Sequence, residues 1–238
     1  MKKLHNEAWQ EIWEAKASRG ETELHRIDGN DLLTIEEWEC TVRAVTAPLS
    51  LRAGMSVLEL GCGAGAFLAV LKKLEPTIQI TGLDYSPAMI ATASARLAGS
   101  FFVGDICNCP MLPSVSSDLT CSFGVMMYLN ADADAIRALA EIDRVTRPGG
   151  QIYIGEVSDL AKRDLALETR RLTHANHQRV ATADIPHLYL PRALFLDEGQ
   201  RLGWRKTRVI DHADIPALQG NPLAGYRYSF YAQKGDVR

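Results

Sequence analysis

The sequence predicts an α/β fold built on one mostly parallel sheet with helices on both faces, and three observations carry that prediction. Five apolar segments, MSVLEL (55–60), IQITGLD (78–84), FFVGDI (101–106), LTCSFGVMMYL (119–129) and QIYIGEV (151–157), alternate with helical patterns. Their near-continuous apolar character is that of strands buried on both faces. The first runs directly into a turn with glycines at 61, 63 and 65. Two late segments, RKTRVIDH and YRYSFYAQK, are joined by thirteen residues, ADIPALQGNPLAG. That link leaves no room for a crossover helix, so these two strands should pair antiparallel and bring the count to seven.

The elements follow in order. NEAWQEIWEAK places Trp9, Trp13 and Lys16 on one helical face, either to dock the helix on the core or to line a pocket as a lid. RIDGND reads as a turn. Thr34 and Glu37 have capping-box spacing and open a helix with Trp38, Val42 and Val45 along one side. AFLAVLKKLEP is a helix stopped by Pro76. SPAMIATASARLAG is another, with Ser86 as N-cap and Pro87 at the first position, where its missing N–H costs nothing. CNCPMLPSVSS is a loop. Ile136, Leu139, Ile142 and Val145 form a helical stripe that ends at RPGG. Residues 159–180 read as a long polar helix, and a last helix begins at Pro191 and stops at Gly203.

The chain has 238 residues, 47% hydrophobic and 23% charged, with a formal net charge of -3. This suits one α/β domain with appendages and gives no overall sign of a polyanion binder. No apolar run reaches the roughly 18 residues of a membrane span. Five cysteines, an odd number, and the polar start MKKLHNEAWQ lead us to expect a reduced, cytoplasmic setting. Cys107 and Cys109 form a C-x-C pair without nearby partners, and His174 with His177 lacks a third ligand, so no metal site is expected.

In a doubly wound sheet, ligands bind at the carboxyl ends of the strands, where the glycine turn lies. Taken alone, the turn also admits a dinucleotide, because Gly61, Gly63 and Ala66 satisfy G-x-G-x-x-G/A and Asp84 stands at the distance of a ribose ligand. The set of motifs is more specific. VLELGCGAGAF, GLDYSPAMI, GDI, SFGVMMYL and EIDRVTRPGG occur in order before the closing strand pair. Over about residues 50–234 the chain resembles the class I S-adenosylmethionine-dependent methyltransferases, of the small-molecule type. The resemblance implies a three-layer Rossmann-like sheet of order 3-2-1-4-5-7-6. It implies a domain over 51–238 with a helical insert at 158–203, preceded by an N-terminal helical extension or lid over 1–50.

It also implies S-adenosylmethionine as cofactor. Asp84 would accept from the ribose hydroxyls, Tyr85 lie against the adenine, and Asp105 with the Ile106 N–H read the adenine edge. Glu59 would order the glycine loop and approach the methionine amine. Gly61, Gly63 and Gly65 would meet the methionine portion, with Phe123 and Gly124 near the reactive methyl. The implied reaction is in-line displacement of a methyl group from a sulfonium. His187, Glu156 and Tyr128 are the candidates for the acceptor side, His187 first and as a base.

SFGVMMYL replaces the Asn/Asp-Pro-Pro-Tyr/Phe/Trp run of exocyclic-amine nucleic-acid methyltransferases. Lys162, Arg163, Arg170, Arg171 and Arg179 are interspersed with acids and lack aromatic partners, so they read as a solvated face. The expected acceptor is therefore a small molecule, methylated on O or N, and Trp9, Trp13, Leu188, Tyr189, Leu190 and Phe195 permit an aromatic or apolar one. The alternatives are an RNA or protein acceptor, or a protein that binds the cofactor without turnover.

Overall fold

A computed structural model of the chain describes residues 5–177 and 185–236. Seven strands form one sheet: β1 (Ser56–Leu60), β2 (Gln79–Asp84), β3 (Ser100–Val103), β4 (Ser117–Phe123), β5 (Thr146–Ser158), β6 (Arg205–Asp211) and β7 (Arg227–Gln233). Their order is β3-β2-β1-β4-β5-β7-β6, as expected. The first five run parallel, and β7 pairs antiparallel with both β5 and β6. The helices are α1 (His5–Ala17), α2 (Leu24–Ile27), α3 (Ile35–Thr46), α4 (Ala66–Leu74), α5 (Pro87–Arg96), α6 (Asp132–Val145), α7 (Arg163–His177) and α8 (Arg192–Arg201).

Strand alternation divides the core into two layers. Leu58 and Leu60 pack with Leu139 and Ile142 of α6 and Phe195 of α8. Val57 packs on the other face with Trp38 and Val42 of α3 and Phe67 and Leu71 of α4. Helix α3, read from sequence as part of an extension, thus contributes to the sheet's own cover. It begins with the expected capping box, in which the Thr34 hydroxyl accepts from the Glu37 N–H at 3.2 Å and the Glu37 carboxylate from the Thr34 N–H at 2.8 Å. Ser86 caps α5 by accepting from the Met89 N–H at 3.2 Å.

Several boundaries differ from the sequence reading. Strand β5 starts at Thr146 and takes in the RPGG segment, because a register shift between Ser117 and Leu119 of β4 absorbs the extra residues. Strand β3 ends at Val103, which leaves Gly104 to Ile106 as a turn. RIDGND is partly helical, since Arg26 and Ile27 belong to α2. The polar helix is a 3-10 turn at Leu160–Lys162 followed by α7. The side chains of His174 and His177, and Arg179 altogether, lie outside the described residues.

One irregularity positions a side chain that matters below. The register of β5 against β7 shifts between Ile154 and Val157, and within that bulge Glu156 has φ 60°, a left-handed conformation that a non-glycine residue seldom adopts. Gly155 beside it has no room for a side chain, since a Cβ there would stand 2.3 Å from the Tyr153 hydroxyl. The bulge turns Glu156 toward the carboxyl edge of the sheet. Among the described residues no helix is long and apolar enough to cross a membrane.

Candidate active site

A cavity of about 430 Å³ opens at the carboxyl edge of the sheet, between the glycine turn, the ends of β2, β4 and β5, and the N-terminal segment. The turn is pinned to the neighbouring strand: the Gly61 N–H donates to the Leu83 carbonyl at 2.7 Å and the Cys62 N–H to the same oxygen at 3.0 Å. Gly61 has φ +82°, and a Cβ there would meet Val125 at 2.3 Å, so the turn needs glycine for both backbone and space.

Three carboxyl groups converge on this end. Asp84, 6% exposed, accepts from the Gly63 N–H and the Ser86 N–H, each at 2.9 Å, and burial raises its pKa to about 6. Glu59, 2% exposed, has an Oε2 without a hydrogen-bond partner. Burial, with Asp28 and Asp84 nearby, holds its carboxyl well above the ordinary range. Asp28 is the third, and nothing in the sequence singled it out beyond a D-G turn. Its Oδ1 accepts from the Ala64 N–H at 2.6 Å and its Oδ2 from the Ala66 N–H at 2.9 Å. Helix α4 starts at Gly65, which has no side chain to cap it, and Asp28 supplies that cap from another segment. Burial pushes the Asp28 carboxyl up to about 7.

Gly61 and Gly63 line the cavity, but Gly65 does not. A Cβ on Gly65 would meet Leu97 of the 97–99 turn at 2.5 Å, so its role is to start α4 in a left-handed conformation. Tyr85, Asp105, Ile106, Phe123 and Gly124 all line the cavity. Asp105 also accepts from the Cys107 N–H at 2.8 Å, which shapes the turn after β3. Phe123 stacks on Phe67 at 4.7 Å. Helix α1 covers the β2 end, where the Gln10 amide donates to the Tyr85 carbonyl at 3.1 Å and the Glu14 carboxylate accepts from the Ser86 hydroxyl at 2.7 Å. Both readings of its tryptophans hold, for Trp9 is buried and Trp13 lines the cavity.

The far end is walled by Trp13, Met127, Tyr128, Glu156, Leu223 and Arg227. Of the three residues expected on the acceptor side, Tyr128 and Glu156 are there and His187 is not. The His187 ring packs 5.4 Å from Trp9 and 5.4 Å from Tyr128, outside the lining. Glu156 is not a free base either. Its Oε2 pairs with the Arg227 guanidinium, and its Oε1 lies 3.1 Å from His212 Nδ1. Burial lowers the His212 pKa to about 4, so the ring is neutral. A carboxylate can only accept, so His212 Nδ1 carries the proton and Nε2 accepts from the Ser229 hydroxyl at 2.7 Å. Ser229 in turn lies 3.2 Å from the Tyr153 hydroxyl. Burial also lowers the Arg227 pKa to about 10.

Other candidates take structural places. Leu190 and Phe195 belong to the core, and Tyr189 packs with Ala166 and Tyr226, so these three do not line the cavity. Lys162 pairs with Asp211 at 2.8 Å and Arg171 with Glu168 at 2.7 Å.

Residues 58–154, from β1 into β5, match the model of a family described as a methyltransferase domain. The chain has the class I S-adenosylmethionine-dependent methyltransferase fold. Two solved structures show how this methyltransferase fold extends beyond the matched segment. The N-methyltransferase NodS from Bradyrhizobium japonicum, in complex with S-adenosylhomocysteine, is 18% identical with a TM-score of 0.62, over 94% of this chain and 97% of that one. Phosphoethanolamine N-methyltransferase 1 of Haemonchus contortus, in complex with phosphoethanolamine and S-adenosylhomocysteine, is 16% identical with a TM-score of 0.67, over 98% of this chain and 49% of that one. Among curated sequences, a ubiquinone/menaquinone biosynthesis C-methyltransferase of Desulfotalea psychrophila is 31% identical over 134 residues, 56% of this chain and 54% of that protein. The chain thus spans about half the length of that relative.

Proposed function

We propose that the protein transfers the methyl group of S-adenosylmethionine to an O or N atom of a small molecule. The observation that carries this reading is the buried Glu59 Oε2 without a partner, facing a cavity shared with Asp28 and Asp84. Buried carboxyl groups in such surroundings call for a ligand that brings positive charge and hydroxyl donors. The cofactor has both, an ammonium with a sulfonium at one end and a ribose diol beside it. In this reading Asp84 accepts from the ribose, Glu59 from the ammonium, and Tyr85, Asp105 and Ile106 surround the adenine. Gly61, Gly63, Phe123 and Gly124 bring backbone close to the remainder.

The chemistry that S-adenosylmethionine supplies when bound is an electrophilic methyl carbon on a sulfonium. The chain itself has to align the acceptor and exclude water, an effect worth several kcal/mol. Trp13 and Tyr128 do this in the proposed site by roofing the far end under α1, which makes the N-terminal segment a lid. Glu156 and Arg227 neutralise each other there, so they position an acceptor through hydrogen bonds and leave no strongly basic group. Tyr128, whose phenol burial keeps protonated, donates rather than accepts a proton.

The names of the relatives include both C- and N-methyltransferases, so they do not choose the acceptor atom. The compact roofed cavity and the ion-paired Lys162 and Arg171 favour a small acceptor over RNA or protein. Calorimetric titration with S-adenosylhomocysteine, followed by labelled methyl transfer into metabolite, RNA and protein fractions, tests the reading. Binding with label entering only the metabolite fraction is expected. Label in RNA or protein, or binding with no product in any fraction, overturns it.

A further inference from the structure

We infer that Asp28, carried by the N-terminal segment, is a cofactor-positioning residue that joins Glu59 in a two-carboxylate seat for the ammonium group of the cofactor's amino-acid end. The inference rests on the proposed S-adenosylmethionine site and adds to it a residue from outside the glycine turn.

The geometry is specific. Asp28 lines the cavity together with Glu59, Gly63 and Asp84. Its Oδ1 stands 2.3 Å from where a Gly63 Cβ would be, so the missing side chain of Gly63 is what admits this carboxylate to the turn. The Ala64 and Ala66 N–H groups each bind one of its oxygens, at 2.6 Å and 2.9 Å. A carboxylate has about four lone-pair sites, and two backbone donors leave capacity for a third. Glu59 supplies the independent sign of a ligand, because its Oε2 is buried and unpartnered at the same spot.

Two structural consequences select the ammonium over other groups. A free N–H at the start of α4 would otherwise suit an anion, and Asp28 already holds that of Ala66, the first residue of the helix, together with that of Ala64 in the turn before it. A ligand carboxylate is therefore turned away from that helix end. What Asp28 and Glu59 share is a need for a donor that is positively charged, and a primary ammonium offers three N–H bonds. Asp28 thereby also ties the lid segment to the ligand, since the same carboxylate belongs to the chain leading from α2.

The test compares two probes on the full chain by calorimetry: S-adenosylhomocysteine, which has the amino-acid end, and 5′-methylthioadenosine, which lacks it. In Asp28→Asn and in Asp28→Ser, which keeps an N-capping oxygen, affinity for the first probe should fall roughly ten- to hundredfold. Affinity for the second should stay as in the wild type. Two variants guard against one that does not fold. Equal weakening of both probes would reveal a purely structural cap and overturn the inference, as would unchanged affinity for both. If the wild type bound neither probe, the proposed cofactor site itself would fail, which separates the two ideas.

Discussion

At the β1–β2 end of the cavity, Asp28, Glu59 and Asp84 face one another, and the donors that reach them are backbone N–H groups. At the β5–β7 end, the Glu156 carboxylate is matched by a guanidinium and an imidazole N–H. The first end gathers three acids whose pKa values are raised, and the second pairs its charges within the chain. Buried charge without a partner favours protonation or a ligand, whereas a complete pair favours rigidity. Substitutions at the first end should therefore be read out in binding, and those at the second in folding.

The largest expected effect tests the second end. Arg227→Met leaves Glu156 buried without its guanidinium and should cost about 3–5 kcal/mol in denaturant unfolding. The double variant Glu156→Gln/Arg227→Met should recover much of that loss. A cost below about 1 kcal/mol would show that the pair is solvated and the contrast mistaken. Next comes Asp84→Ala, which should weaken S-adenosylhomocysteine binding by about 2–4 kcal/mol, measured by calorimetry on the folded variant. Wild-type affinity would remove Asp84 from the ligand.

A pH series sharpens the comparison further. Asp84 and Asp28 have pKa values raised to about 6 and about 7, and Glu59 is raised as well. Glu14 and Lys16 act on the same groups from α1, with opposite signs. Between about pH 4 and pH 7 the folded chain binds more protons at these acids than the unfolded chain, so stability without ligand should fall as pH rises through that window. A cationic ligand needs the ionised forms, so its affinity should rise, by about tenfold between about pH 5 and pH 7 for Asp84 alone. A flat profile in both measurements would contradict the buried-acid account. The smallest effect is at His187. Replacing it with alanine should cost about 1 kcal/mol of stability through the lost Trp9 and Tyr128 ring contacts, with S-adenosylhomocysteine affinity unchanged. A selective loss of turnover would return His187 to the reacting groups.

The legibility of the two ends in the sequence differs for a physical reason. Glu59, Gly61, Gly63 and Asp84 sit on consecutive strand ends, where apolar strands meet glycine and acid at short spacing, so their positions follow from the pattern. The same holds for Phe123 and Gly124 at the end of the fourth strand and for Glu156 near the end of the fifth. Asp28, Arg227 and His212 follow no such pattern. Asp28 meets a turn 36 residues away, and Arg227 and His212 reach Glu156 from the last strand and the turn before β7. Irregular segments place these side chains, and no periodicity marks them. Gly65 starts a helix and lies outside the cavity lining, and a glycine motif does not distinguish such backbone from backbone that faces a ligand. His187 packs against Trp9 and Tyr128, and the sequence does not tell a polar ring held by aromatics from one held by a substrate.

Helix α1 has thirteen residues and touches the rest of the protein through Gln10, Trp9, Trp13 and Glu14. A helix that short does not keep its shape alone in water. In the lid role proposed for it, α1 would leave the cavity only by unwinding, and ligand exchange should then quicken steeply with warming, as a melting process does, rather than gently, as a swinging rigid arm would.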